Sequence, residues 1–285
     1  MRWQTLVAAE ELAERMGDPR LRLFDCRFDL ARPSAGRERY LEGHLPGAVF
    51  ADLNTALSAS PTPRSGRHPL PTPAQFVAQL RRWGVDGDSQ VVAYDDGSGL
   101  FAARLWWMLR WLGHGAAAVL DGGLRRWVEL DLPVTREVPT CARTGSFAAR
   151  EQADLVVDAT GAAAAAADPS QRLLDARSPE RYRGEVEPID AVGGHVPGAR
   201  NHPYTASLGA DGRFLPPEAL RRGLLAALEG VVPQAAVAMC GSGVTACHLL
   251  LAMEHAGLPG GRLYPGSWSE WSRDPSRPIA TGPQP

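Results

Sequence analysis

The chain has 285 residues, 44% of them hydrophobic and 22% charged, with a formal net charge of −2 at pH 7. This is the size of about two ordinary domains with ample core-forming side chains, which excludes a disordered chain, a collagen-like repeat and a small disulfide scaffold. The balanced charge gives no electrostatic footprint for nucleic acid or an anionic membrane, no apolar run reaches the ~18 residues of a membrane helix, and the first stretch lacks a signal peptide's apolar core, so a cytoplasmic enzyme or binding protein is expected.

Along the chain, short β-prone runs alternate with helical periods. LRLFDC (21–26), QVVAYD (90–95) and AAVLDG (117–122) read as strands, and LFAARLWWMLRWLG (100–113) as a helix in which Trp106, Trp107 and Trp111 sit at packing spacing. The pattern starts again with RLLDAR (172–177), AAVAMC (235–240) and GRLYPG (261–266) as strands and TACHLLLAMEHAG (245–257) as a helix. A six-alanine run, 162–167, reads as a short helix without chemistry. Strands separated by helices imply an α/β fold with a mainly parallel sheet covered on both faces, whose ligands sit at the carboxyl ends of the strands.

The two halves repeat each other in detail. LFDCR (23–27) recurs as LLDAR (173–177), GHLPGA (43–48) as GHVPGA (194–199), VVAYDDGSG (91–99) as AVAMCGSGV (236–244), and LDGGLRRW (120–127) as LYPGSWSEW (263–271) with one residue inserted. Matches in the same order mean two tandem copies of one domain. The expected boundaries are 1–138 for the first copy, 139–154 for a polar linker without periodicity, and 155–285 for the second copy.

The absence of lysine is informative, since all 30 basic residues are arginine. Chemistry that needs an amine is thereby excluded, and any bound anion must be held by arginine, hydroxyls or backbone N–H groups. The loop Cys240-Gly241-Ser242-Gly243-Val244-Thr245 offers such N–H groups, because two glycines let it curl tightly at the start of a helix. A cysteine at the rim of this nest is favoured as thiolate, the nucleophilic form. The first copy has Asp95 at the matching position, so it reads as scaffold and the second copy as the working half. Phosphatase loops of this kind carry an arginine six residues after the cysteine; Ala246 stands there, which argues against phosphoryl transfer.

Asp25/Arg27 and Asp175/Arg177 recur in both copies and read as strand-end ion pairs. Cys247, two residues past Thr245 on the expected helix, reads as buried, and Cys26 and Cys141 have no spacing partner, so four scattered cysteines fit a reducing compartment rather than a disulfide framework. Cys240, Cys247, His248 and His255 lack the spacing of a zinc site, and neither metal nor cofactor is expected.

The tandem copies, the GHLPGA/GHVPGA pair, the DGG…W and GSWSEW segments, and a loop cysteine in the second copy alone resemble the rhodanese-type sulfurtransferases over nearly the whole chain. CGSGVTAC (240–247) is similar to the loop of the 3-mercaptopyruvate branch. The resemblance implies that Cys240 takes sulfur from 3-mercaptopyruvate as a persulfide and passes it to cyanide or a thiol acceptor, thioredoxin-like or of low molecular weight. It gives the N–H groups of Gly241, Gly243 and Val244 the role of stabilising charge. Ser242 and Thr245 become proton relays or donor contacts, and Arg181 in DARSPERYRG the clamp for the donor's acidic end.

His44, before the first LPGA, is offered by the resemblance as an activator of the serine; its recurrence as His195 is the alternative, a structural turn histidine. One departure stands out, because mercaptopyruvate enzymes commonly carry a second arginine in an EPR stretch where this chain has Glu187-Pro188-Ile189-Asp190. That stretch resembles the thiosulfate branch. Thiosulfate:cyanide sulfurtransferase activity through the same cysteine is therefore one alternative, and a non-catalytic sulfur-carrying or partner-binding module the other.

Overall fold

Apolar runs without alternation need cover on both faces, and the strands here receive it. The structure, a computed structural model, describes residues 2–140 and 143–285; Cys141, in the segment read as a linker, lies outside the described residues. The first half runs β1 (Leu6–Val7), α1 (Ala9–Ala13), β2 (Leu21–Asp25), α2 (Ala35–Glu42), β3 (Val49–Phe50), α3 (Pro73–Arg82), β4 (Gln90–Tyr94), α4 (Ala102–Trp111), β5 (Ala117–Leu120) and α5 (Gly123–Glu129). Its sheet has the order β1-β5-β4-β2-β3 with every pairing parallel. Val7, Leu12, Leu23, Val92, Leu120 and Trp127 belong to the core on one face. Trp106, Trp107 and Trp111 of α4 are buried.

The second half repeats the plan with α6 (Ala159–Ala167), β6 (Arg172–Asp175), α7 (Pro179–Arg183), β7 (Arg200–Asn201), α8 (Pro217–Leu228), β8 (Ala236–Met239), α9 (Thr245–His255), β9 (Arg262–Leu263) and α10 (Ser267–Trp271). Its sheet order is β7-β6-β8-β9, again parallel. The alanine run forms α6, started by Asp158, whose carboxylate accepts from Gly161 N at 2.8 Å. Ala159, Ala162 and Ala165 recur every three residues and are buried in the core with Leu173, Val237, Trp268 and Trp271. Small side chains let this helix pack closely on the sheet.

In each sheet the central pair marks the point where connections diverge. β2 leads to β3 at one edge and β4 leads to β5 on the other side; β6 and β8 do the same toward β7 and β9. A crevice opens at the carboxyl ends of such a pair. Asp95 immediately follows β4, and Cys240 immediately follows β8.

Two short segments cross the contiguous division expected from the sequence. One compact unit comprises Met1–Ala59, Leu70–Gln152 and Gly209–Phe214; the other comprises Ser60–Pro69, Ala153–Leu208 and Leu215–Pro285. The reason is local bonding. Arg67 N donates to Ser269 Oγ at 2.9 Å and Arg273 Nη1 to Ser65 O at 2.9 Å, while Phe214 N donates to Asp121 Oδ1 at 3.0 Å. Among the described residues, no helix is long and apolar enough to cross a membrane.

Candidate active site

The first unit shows what its strand-to-helix turn is shaped to hold. The Asp95 carboxylate is buried and accepts from four backbone amides: Gly97 N at 3.0 Å and Gly99 N at 2.9 Å on Oδ1, Phe101 N at 2.9 Å and Ala102 N at 3.3 Å on Oδ2. A ring of convergent N–H groups at a helix start is an anion receptor, here filled by the chain's own carboxylate.

Cys240 takes the place of Asp95 in the second unit, so the amides matching the Asp95 donors are those of Ser242, Val244, Ala246 and Cys247. The loop is pinned from the outside by α10. Cys240 N donates to Ser267 Oγ at 3.1 Å, Trp268 N donates to Cys240 O at 3.0 Å, and Ser269 N donates to Gly241 O at 2.8 Å. This accounts for GSWSEW in the repeat. Gly243 has φ +76, and a Cβ there would stand 2.4 Å from Pro265 O, so no larger residue fits the turn. Cys240 is 1% exposed and Thr245 opens α9 on the same loop.

Cationic groups converge beside this loop. A Cβ on Gly241 would lie 3.4 Å from both Arg181 Nη1 and Arg67 Nη2. Arg181, on α7, donates through Nη2 to Glu187 Oε1 at 2.7 Å and to Asp190 Oδ2 at 3.3 Å; Arg67 Nη1 donates to Asp190 Oδ1 at 2.8 Å. Burial alone would push the Glu187 carboxyl up, but the Arg181 guanidinium and the amides of Asp190 and Ile189 hold it below the usual range. The two carboxylates therefore aim and space two arginines above Gly241. Arg181 does not pair with Glu180 or Glu185; Glu185 pairs with Arg183 instead.

The first unit again supplies an internal comparison. Tyr40 and Tyr182 stack on His44 and His195 with ring centroids 3.9 and 3.8 Å apart, so Arg39 precedes Tyr40 as Arg181 precedes Tyr182. Where the second unit has Gly241, the first has Asp96, whose carboxylate stands 3.4 Å from Arg39 Nη1. A carboxylate beside this arginine is thus already present in the copy that lacks the cysteine.

Two neighbours of the loop escaped the reading of the sequence. His68 Nδ1 lies 2.8 Å from Ser242 Oγ, and both are buried. Arg67 and His68 come from Ser60–Pro69, far from the loop in sequence and without a counterpart in the repeats; the only signal was a charged pair in a proline- and serine-rich stretch. His44 sits elsewhere, in the first unit. Its Nδ1 is 2.7 Å from Tyr40 O and its Nε2 3.1 Å from Glu137 O, the same arrangement that His195 makes with Tyr182 O and Gln284 O. Both ring nitrogens of His44 are taken by carbonyls of its own unit.

The rhodanese-like domain family matches the chain twice, over residues 8–130 and 158–274. A Pseudomonas aeruginosa protein named "Probable 3-mercaptopyruvate sulfurtransferase" is 51% identical over 280 residues, covering 97% of this chain and 98% of the relative. A Bos taurus protein named "Thiosulfate sulfurtransferase" is 35% identical over 279 residues, covering 94% and 92%. Among solved structures, SseA from Escherichia coli, described as a 3-mercaptopyruvate enzyme of the rhodanese fold, superposes with a TM-score of 0.80 at 35% identity, covering 94% of this chain and 100% of that one.

Proposed function

The chain belongs to the rhodanese-like domain family, and from that premise we propose that it is a sulfurtransferase that takes sulfur from 3-mercaptopyruvate through Cys240. The observation that carries this reading is the pair of matching turns. One nest holds a carboxylate on four amides, and the other presents a thiol at the same place beside two arginines.

In the first step the Cys240 thiolate attacks the donor's sulfur. The new S–S bond forms as the C–S bond breaks, and the electron pair leaves on carbon as the enolate of pyruvate. The donor's thiol proton must reach that carbon, so one proton moves from sulfur to the methyl group. Ser242 Oγ and His68 Nδ1, 2.8 Å apart, are placed to pass it. The persulfide left on Cys240 keeps its negative charge against the loop amides, those of Ser242, Val244 and Ala246 that match the Asp95 donors together with the expected Gly241 and Gly243. Arg181 and Arg67 take the donor's carboxylate above Gly241, a geometry suited to guanidinium forks. Arg67 supplies the second guanidinium that the Glu187–Asp190 stretch lacks. In the second step a thiolate acceptor, small or thioredoxin-like, attacks the outer sulfur and regenerates the Cys240 thiolate.

Thiosulfate is the second reading, favoured by Asp190 in the stretch that resembles the thiosulfate branch. Initial rates with each donor and cyanide as common acceptor decide between them. A kcat/KM at least about tenfold higher for 3-mercaptopyruvate is expected, equivalent to about 1.4 kcal/mol. The reverse ratio assigns thiosulfate, and negligible turnover of both donors overturns the catalytic reading.

A further inference from the structure

Asp25–Arg27 and Asp175–Arg177 recur in both halves, and recurrence in the half without a cysteine is what a purely structural ion pair predicts. The shared bonds agree. Arg27 Nη2 and Arg177 Nη2 each donate to the paired aspartate at 2.6 Å, and to Gly43 O and Gly194 O respectively at 2.7 Å.

The rest of their surroundings differ. Arg27 gives Nη2 a further carbonyl, Arg39 O at 3.2 Å. Arg177 instead lies over the ring of Trp268, its guanidinium carbon 4.5 Å from the ring centroid. Aligning Trp271 with Trp127 puts Leu124 at the matching place in the first unit. Trp268 N holds Cys240 O as Leu124 N holds Asp95 O at 2.9 Å, so the new element is the ring that lies between Arg177 and the backbone of the cysteine loop's clamp. Arg177 follows β6, where Ala176 N donates to Met239 O at 2.8 Å next to the cysteine, a bond the first unit shares as Cys26 N to Tyr94 O at 2.7 Å. Arg177 Nη1 is buried with no hydrogen-bond partner; Glu187 Oε2, 3.5 Å away, is its nearest counter-charge.

A buried guanidinium nitrogen held 3.5 Å from its nearest acceptor is under-satisfied, and such groups call for a reason. Burial pushes the Arg177 guanidinium down, and the charges of Asp175, Glu187 and Cys240 more than offset it. The titratable groups around the loop include Arg177, Arg181, Arg67 and His68 against Asp175, Glu187 and Asp190, together with the Cys247 thiol, which donates to Gly243 O at 3.2 Å.

We propose that Arg177 is a positioning residue for the sulfur chemistry: fixed by Asp175 and Trp268, its buried charge steadies the anionic thiolate and persulfide of Cys240. This rests on the reading of Cys240 as sulfur carrier and extends it to a residue whose duplicate, Arg27, has no such task.

The test is the pH profile of Cys240 alkylation by iodoacetamide, resolved by mass spectrometry so that Cys26 and Cys247 are read separately. Arg177→Met should move the profile up by about one pH unit, with about a tenfold loss of reactivity below the midpoint. Arg177→Lys, which keeps the charge but not the fork, should stay close to the wild-type profile, and Arg27→Met should leave it in place. If the methionine variant does not fold, Arg177→Gln serves instead, since it keeps a donor for Asp175 without the charge. An unmoved profile for the uncharged variant overturns the proposal, and so does a lysine variant displaced as far as the methionine one. An equal shift from Arg27→Met also overturns it. Turnover of both donors is measured alongside. A shift without turnover in the wild type refutes the sulfurtransferase reading and leaves the role of Arg177 standing.

Discussion

Asp95→Asn tests the premise that this turn is built around an anion. The substitution keeps the shape of the side chain but replaces one oxygen with an NH2 group. The carboxylate accepts two amides on each oxygen, Gly97 and Gly99 on one, Phe101 and Ala102 on the other. Whichever way the asparagine turns, two N–H groups face a donor and lose their acceptor. At about 1–3 kcal/mol for each orphaned donor, the expected loss is about 2–6 kcal/mol. That is a large part of the ~5–15 kcal/mol that holds an ordinary domain together. Calorimetry should show the first unit's transition falling by roughly 10 °C, taking ~2–4 °C per kcal/mol for a unit of this size. Hydrogen exchange should speed up at one pair of these amides, either 97 and 99 or 101 and 102. A loss below about 1 kcal/mol with all four amides still protected would refute the anion-receptor reading, and with it the reasoning that places negative charge on Cys240 in the matching nest.

Two further outcomes follow from the second unit. Ser242→Ala and His68→Ala should each lower kcat with 3-mercaptopyruvate by about 10²-fold, and the double variant should be no worse than either alone; multiplying effects would mean that the two do not pass a proton between them. Glu187 has a folded-state pKa held below its ordinary 4.5, so its contribution to stability is present above that value and is lost as pH falls through the folded one. Acid titration of unfolding should show this loss in the wild type and not in Glu187→Gln, and identical acid profiles would refute the assignment.

The strands, the helices and the place of Cys240 were legible because the chain states them twice. A β-prone run ending in Asp95 and another ending in Cys240 align residue for residue, and parallel strands send ligands to that end. Arg181 was legible through its motif, but its partners were not, because Glu187 and Asp190 reach it only once the 185–192 segment folds over α7. Arg67 and His68 were not legible, since nothing local connects them to a loop more than 170 positions away; only tertiary bonds to Ser269 and Ser242 do. His44 drew attention because its motif repeats, yet repetition marks what both copies share. What distinguishes the working copy is found where the repeat fails: Cys240 for Asp95, Gly241 for Asp96, Trp268 for Leu124.

The excursion of Ser60–Pro69 has a consequence for how the chain can be divided. Cutting it at the seam between the repeats would give a C-terminal product with Cys240, its loop and Arg181, but without the histidine bonded to Ser242 or the second guanidinium beside Gly241. Substitutions at Arg67 and His68 therefore bear on the loop of the second repeat although they fall inside the first.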